Sequence, residues 1–198
     1  MKSNICALTG EKGQLEAVLA EVDKCTAYND LDKKSALRAR LLAEELVGML
    51  PDLMKEAEGN FWMENDGKKY EMHVSVRARE TGVTTRERLL AVSTTGKNAA
   101  ATGIMGKIRA AAELMLFPSE EDLIGADFYD FGLETSVSYG QMWSLSHYVE
   151  RVQQQAEAAA KTEAWDELEK SIVSKLADDV IVGIKGKQVD IIVRKEFA

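Results

Sequence analysis

One acidic side chain stands where the surrounding pattern is apolar. Residues 31–50 and the next few positions place apolar side chains at helical spacing, on the stripe Leu37, Leu41, Leu42, Leu46, Met49 and Leu53. At about 100° per residue, Glu45 falls within ~30° of the centre of this stripe, whereas Glu44 falls beyond its edge. The spacing predicts that Glu45 points inward beneath a sheet, where a carboxylate can act as a general base. Two structural placements stay open: the rim of the stripe, or a pair with Arg38 on the same face.

A second segment carries spaced glycines and lysines at the front of a predicted helix. It reads Thr95-Gly96-Lys97-Asn98, followed by Thr102-Gly103-Ile104-Met105-Gly106-Lys107. Glycines let backbone N–H groups approach a phosphate, and a helix start attracts negative charge. Lys97, Gly103, Gly106 and Lys107 are therefore candidate phosphate contacts. The spacing is not that of a Walker A loop. The alternative is that both helix glycines allow close packing among the neighbouring alanines.

Other residue types that often do chemistry give no site in the sequence. His73 lies on the polar side of a predicted strand and His147 on a predicted helix, without a cysteine or carboxylate cluster nearby. Asp127 and Asp130 could together recruit a cation, but an exposed acidic turn explains them better. No metal site is predicted.

Length, charge and cysteine usage bound the function. The chain has 198 residues, a net charge of -8 and no basic run, which argues against a nucleic-acid binder and favours a protein or small-molecule partner. Cys6 and Cys25 lie on different predicted elements and read as reduced, buried thiols. There is no leader-like start and no run of ~18 apolar residues, so we expect a cytoplasmic protein without a membrane span.

The predicted elements form a regular order. A strand over 1–8 precedes a helix over 11–28, and the helix over 31–50 has Asp30 or Asp32 as its cap and Pro51 at its end. Strands over 60–64 and 69–79 flank an Asn65-Asp66-Gly67 turn. The chain ends with a helix over 165–177 and strands over 180–184 and 189–193.

The middle of the chain is predicted as a helical, lid-like insertion over 81–162, with helices over 86–92, 98–117 and 140–160. One of its helices carries an aromatic face that covers the sheet or docks a second copy of the chain, made by Tyr139, Met142, Trp143, Leu145 and Tyr148. The predicted fold is a single domain over 1–198. It is an α/β two-layer sandwich, with a mixed, mainly antiparallel sheet of about five strands covered on one face by helices.

This order of elements resembles the GHKL (Bergerat-fold) ATPases, and especially the small anti-sigma-factor serine kinases. Residues 41–46 look like the helix that carries the family's E-x-x-x-N box, and residues 168–197 look like its closing helix and hairpin. The resemblance implies that Glu45 corresponds to the base that activates a nucleophile. In the family, an Asn one turn later holds magnesium on the phosphates of ATP.

The sequence departs from that family at both ligand-binding boxes. Met49 stands one turn after Glu45, and a thioether is a poor ligand for magnesium, which prefers oxygen. The D-x-G-x-G box, whose Asp recognises adenine, is replaced by Arg79-Glu80-Thr81-Gly82. Asp130-Phe131-Gly132 has part of that pattern but follows no clear strand. The resemblance therefore implies a degenerate domain with Glu45 as a vestigial base, ATP as the only cofactor to test, and no magnesium site.

The function that follows is regulation of a protein partner by binding, with nucleotide binding weak or lost. Two alternatives stay open. One is a working ATPase or serine kinase in which Asp52 or Asp130 replaces the missing metal ligand. The other is an unrelated α/β scaffold whose helical insertion binds a protein partner.

Overall fold

The computed structural model describes residues 1–9, 13–50, 57–78, 103–116, 141–158, Asp166, Leu168 and 170–197. Its strands are β1 (Cys6–Leu8), β2 (Ala57–Asp66), β3 (Lys69–Ala78), β4 (Gln141–Ser144), β5 (Asp179–Lys185) and β6 (Gln188–Glu196). Its helices are α1 (Gln14–Tyr28), α2 (Lys33–Gly48), α3 (Gly103–Leu116), α4 (Leu145–Ala158) and α5 (Ile172–Leu176). The segments predicted as a helix over 86–92 and as an acidic turn at 127–130 lie outside these residues.

The strands form a six-stranded sheet in the order β1-β2-β3-β6-β5-β4, and every pair of neighbours is antiparallel. Two tight turns set its register. Gly67 and Gly186 open the turns after β2 and β5 with φ of 59° and 67°, a backbone conformation that glycine adopts at little cost. Both predicted hairpins are confirmed.

One hydrophobic core lies between the sheet and a single layer of helices. The inward side chains of the strands and the buried faces of the helices belong to one cluster, which includes Phe61, Val74, Ile191, Leu46 and Ile108. Ile181 and Ile192 point to the other face of the sheet. The residues directly before and after each of them belong to the core, and successive side chains of a strand alternate between the two faces. The α/β two-layer sandwich is therefore confirmed, with six strands rather than about five.

The additional strand comes from the region predicted to be a helical insertion. Gln141–Ser144 was predicted as the start of a helix over 140–160, and that prediction is wrong for these four residues, which pair with β5. Helix α4 begins directly after them, where the Ser146 N–H donates to Asp179 Oδ1 at 3.0 Å and the His147 N–H to Ser144 Oγ at 3.3 Å. Trp143, Leu145 and Tyr148 of the predicted aromatic face are buried in the common core.

Helix α2 starts where the sequence indicates. The Asp32 carboxylate accepts from the backbone N–H groups of Lys34 at 2.9 Å and Ser35 at 3.2 Å, so Asp32 rather than Asp30 is the N-cap. Among the described residues, no helix combines the length and the apolar character needed to cross a membrane.

Candidate functional site

Glu45 does not point into the core. The buried side of α2 is formed by Ser35, Ala39, Leu42, Ala43, Leu46 and Val47. At about 100° per residue, Glu45 lies roughly 120° from the centre of that side, and its side chain is partly exposed. The predicted stripe was out of phase, since Leu37 is 56% exposed. The rim placement is the correct one, and no ion pair joins Glu45 to Arg38 among the described residues.

The reason for the phase error is the size of the core-facing residues. Helix α2 packs against α1 and α5, and it presents Ser35, Ala39 and Ala43 alongside its buried leucines. Small side chains let two helices approach closely, so they take core positions that a hydrophobicity pattern assigns to leucine. Leu41 is left half-buried on the flank.

That flank is a half-buried stripe made by Arg38, Leu41, Glu45 and Met49, which we call the Glu45 flank. The helical neighbours of Glu45 one turn away are Leu41 and Met49, neither of which offers an oxygen ligand. In the part of the chain that the structure describes, no three His, Cys, Asp or Glu side chains are grouped to hold a metal ion. Asp52, the proposed substitute ligand, lies outside those residues.

The predicted phosphate segment is placed only in part. Gly103 and Gly106 lie in the first turn of α3 with Lys107 just after them, while Lys97 lies outside the described residues. Gly103 has φ of 75°, and a Cβ added there would meet nothing within 4 Å, so its backbone conformation rather than close packing explains the glycine. Lys107 Nζ lies 5.3 Å from the centroid of the Tyr148 ring.

The two groups of predicted residues sit on different helices. Glu45 is on α2, and Gly103, Gly106 and Lys107 are at the start of α3; the short helix α5 contacts both helices. These placements bring the lysine to an aromatic ring on α4 rather than to the carboxylate. Their role in phosphate binding stays a prediction.

A cluster of side chains on the face of the sheet that carries Ile181 and Ile192 was not predicted as a site. The rings of Trp62 on β2 and His73 on β3 stack in parallel, with centroids 4.9 Å apart and an interplanar angle of 2°. Lys2 Nζ lies 4.4 Å from the centroid of the same indole. The indole nitrogen donates to Glu64 Oε1 at 2.7 Å. Because these contacts occupy the indole, Trp62 is a structural element of this face.

Four charges cross the same face in a row. Glu64 and Glu71 are directly opposite each other on β2 and β3, an arrangement of like charges that destabilises a sheet. Lys2 lies 3.1 Å from Glu64 Oε1, and Arg194 Nε lies 2.8 Å from Glu71 Oε1. Glu64 is therefore neutralised by Lys2 of the N-terminal segment, and Glu71 is neutralised by Arg194 of the neighbouring strand β6.

His73 is the least solvated titratable group of this cluster. Its side chain is 12% exposed, and its Nε2 lies 3.3 Å from Glu71 Oε2. The two atoms are within ion-pair distance but are not aligned for a hydrogen bond, and Nε2 has no hydrogen-bond partner within the part of the chain that the structure describes. Burial lowers the pKa of His73 from its ordinary value, although Glu64, Glu71 and Asp190 act in the opposite direction.

Both cysteines are present as free thiols. Burial raises the pKa of Cys25, and the same cause raises the pKa of the partly exposed Cys6. Raised pKa values keep thiols protonated near neutral pH, so neither is activated as a nucleophile.

Comparison of the chain with models of known protein families and with curated proteins gives no match.

Proposed function

We propose that the chain is a degenerate histidine-kinase-like domain of the GHKL type that regulates a protein partner by binding it. In this proposal nucleotide binding is weak or lost, and Glu45 is a vestige of the catalytic base. The partner is a protein, since the acidic surface and net charge of -8 disfavour nucleic acid.

The order of the described elements supports the kinship. A strand and two helices precede the β2–β3 hairpin, a variable middle follows, and α5, β5 and β6 close the fold. Asp178 lies between that last helix and β5, and Asp179 is the first residue of β5. A shared order of elements supports a shared fold more directly than it supports a shared activity.

The residues of the Glu45 flank support the proposal that magnesium-dependent use of ATP is lost. Glu45 is held on a well-capped helix at a partly exposed position, so a carboxylate is available there. Its neighbours along the flank are Leu41 and Met49, and magnesium requires several oxygen ligands. A carboxylate without a metal-binding neighbour lacks the means to position ATP phosphates.

The first test is thermal unfolding of the full chain with ATP, in the presence and absence of magnesium. A functional site at 100 times its Kd would add about 2.7 kcal/mol of stability. For a chain of 198 residues this corresponds to a rise in Tm of roughly 5–10 °C. The proposal expects no magnesium-dependent rise at millimolar ATP. A rise of that size would show a functional nucleotide site and would favour an active ATPase or serine kinase instead.

The second test concerns the partner. A protein that copurifies with the chain from its native cells should bind the purified chain with the same Kd in the presence and absence of ATP and magnesium. Glu45→Gln should leave that Kd unchanged, because the carboxylate is vestigial. A Kd that depends on ATP, or a loss of binding in Glu45→Gln, would contradict the proposed nucleotide-independent regulation.

A further inference from the structure

The Trp62 indole is held between two other side chains. His73 stacks on it from β3 at 4.9 Å, and the Lys2 ammonium approaches it from the other side of β2 at 4.4 Å. The strand order supports this geometry, because Lys2 bridges to Glu64 on the edge of β2 that faces β1, whereas His73 belongs to the opposite edge. The three side chains form a layered stack, which we call the Trp62 stack.

The Trp62 stack joins residues 1–5 to the sheet. The backbone of this segment is paired with β2: the Ser3 N–H donates to the Met63 carbonyl at 2.8 Å, and the Asn65 N–H donates to the Met1 carbonyl at 2.8 Å. Met1 and Ile5 are 50% and 60% exposed, so their apolar side chains contribute little burial. Ser3 Oγ also accepts from the Met63 N–H at 2.9 Å, and Asn4 Nδ2 donates to Glu21 Oε2 at 3.0 Å. The contacts of Lys2 with Trp62 and Glu64 add to these hydrogen bonds.

Burial of the ring favours a neutral His73, although three carboxylates face it. From its own strand it faces Glu71, from β2 it faces Glu64, and from β6 it faces Asp190. All three carboxylates already accept from other groups: Arg194, Lys2 and Gln188 respectively. The remaining charge near the ring is the Lys2 ammonium on the other side of the indole, which a second cation would repel.

We propose that the Trp62 stack is a proton-sensitive clasp that holds residues 1–5 against β2 while His73 is neutral and loosens them when His73 is protonated. One proton binds to the imidazole from solvent and no covalent bond changes. The imidazolium repels Lys2 across the indole. This repulsion weakens the side-chain contacts that supplement the short backbone pairing. This inference is independent of the proposed function, since it concerns the opposite face of the sheet from α2.

The pKa of His73 places this transition on the acid side of its ordinary value. Burial is the largest cause and lowers the pKa, and Lys2 acts in the same direction. Glu64, Glu71 and Asp190 raise it and only partly offset the burial. The clasp is therefore closed at neutral pH and opens below the usual titration range of histidine near pH 6.5.

The test is NMR of the full chain between pH 7.5 and 5. The chain has two histidines, so His147→Gln assigns the imidazole signals without ambiguity. Hydrogen exchange of the Ser3 and Asn65 amides, corrected for the intrinsic effect of pH, reports whether the segment is paired. We expect their protection to fall roughly 2- to 5-fold with the same midpoint as the His73 titration, the loss expected for one cation–π contact. The Val74 amide in the centre of the sheet should not change.

Two variants serve as matched controls. His73→Phe keeps a flat ring on Trp62 but cannot be protonated, so protection of the two amides should stay constant across the same range. Lys2→Met keeps the aliphatic stem without the charge, so His73 should titrate at higher pH while the amides no longer respond to it. Constant protection during the His73 titration of the natural chain overturns the proposal. So does an unchanged fall in either variant. If a variant does not fold, the two midpoints in the natural chain decide: coincidence supports the clasp and separation refutes it.

Discussion

Gly59 is the position where the sheet leaves least room, and its replacement by alanine gives a sharp test of the packing. A Cβ placed there would lie 2.6 Å from the Ser75 carbonyl oxygen and 2.7 Å from Val76 Cγ1. The valine methyl could rotate away, but the carbonyl belongs to the neighbouring strand, where Gly59 pairs with Val76. Strands β2 and β3 would have to separate locally to admit the methyl group. We therefore expect Gly59→Ala to lower the free energy of unfolding by about 2 kcal/mol.

The expected change is large enough to measure by thermal and urea unfolding. For a domain of this size, a loss of about 2 kcal/mol lowers Tm by roughly 4–8 °C. The m-value should not change, because the same surface is exposed on unfolding. Gly48→Ala is the matched control: it ends α2, and an added Cβ there would meet nothing within 4 Å. That variant should be equally stable or more stable by up to about 1 kcal/mol.

Two results would refute this reasoning. If Gly59→Ala has the stability of the natural chain, the two strands are not as close at this point as the structure places them. If Gly48→Ala destabilises as much as Gly59→Ala, the effect belongs to glycine in general and not to the close approach of β2 and β3.

Three further predictions follow from single side chains. The pKa of His73 is lower in the folded state than in the unfolded state, so its contribution to stability is complete above the unfolded pKa near 6.5 and is lost as pH falls below that value. Urea titrations at several pH values should show this loss. The His73→Phe variant should not show it. Asp32→Ala removes the cap of α2 and should cost about 1 kcal/mol in the same assay, whereas Asp30→Ala should cost less than about 0.5 kcal/mol. Glu45→Gln should change the free energy of unfolding by less than about 0.5 kcal/mol, and a loss above 2 kcal/mol would show a structural role for the carboxylate.

Much of the fold could be predicted because local chemistry specifies it. The alternation of residues 70–78, the turn at Gly67 and the cap at Asp32 each identify an element, and the structure has all three. Strand β4 could not be predicted in this way. It has four residues, it lies next to a helix, and it becomes a strand because β5 offers it an edge to pair with. Such pairing is a tertiary effect that overrides local propensity.

The orientation of Glu45 shows a different limit of sequence analysis. The pattern of large apolar residues placed the core side of α2 about a quarter of a turn from where it lies. Ala39 and Ala43 are buried in the core, while Leu37 is exposed. Which side of an amphipathic helix is buried depends on how closely its neighbours approach. That distance is a property of the packed pair and not of one helix.

The Trp62 stack shows how one turn determines a cluster of side chains. Gly67 and Lys68 form the turn, so Asp66 pairs with Lys69 and every pair that follows is fixed. This register places Trp62 opposite His73, and a slip of one residue would move one of them to the core face. The stack of these two rings was therefore implicit in the sequence once the turn length was known. The position of Lys2 was not, because it depends on pairing between segments about 60 residues apart. Lys2 supplies the charge that a protonated His73 would repel, and its place in the stack is revealed only by the tertiary structure.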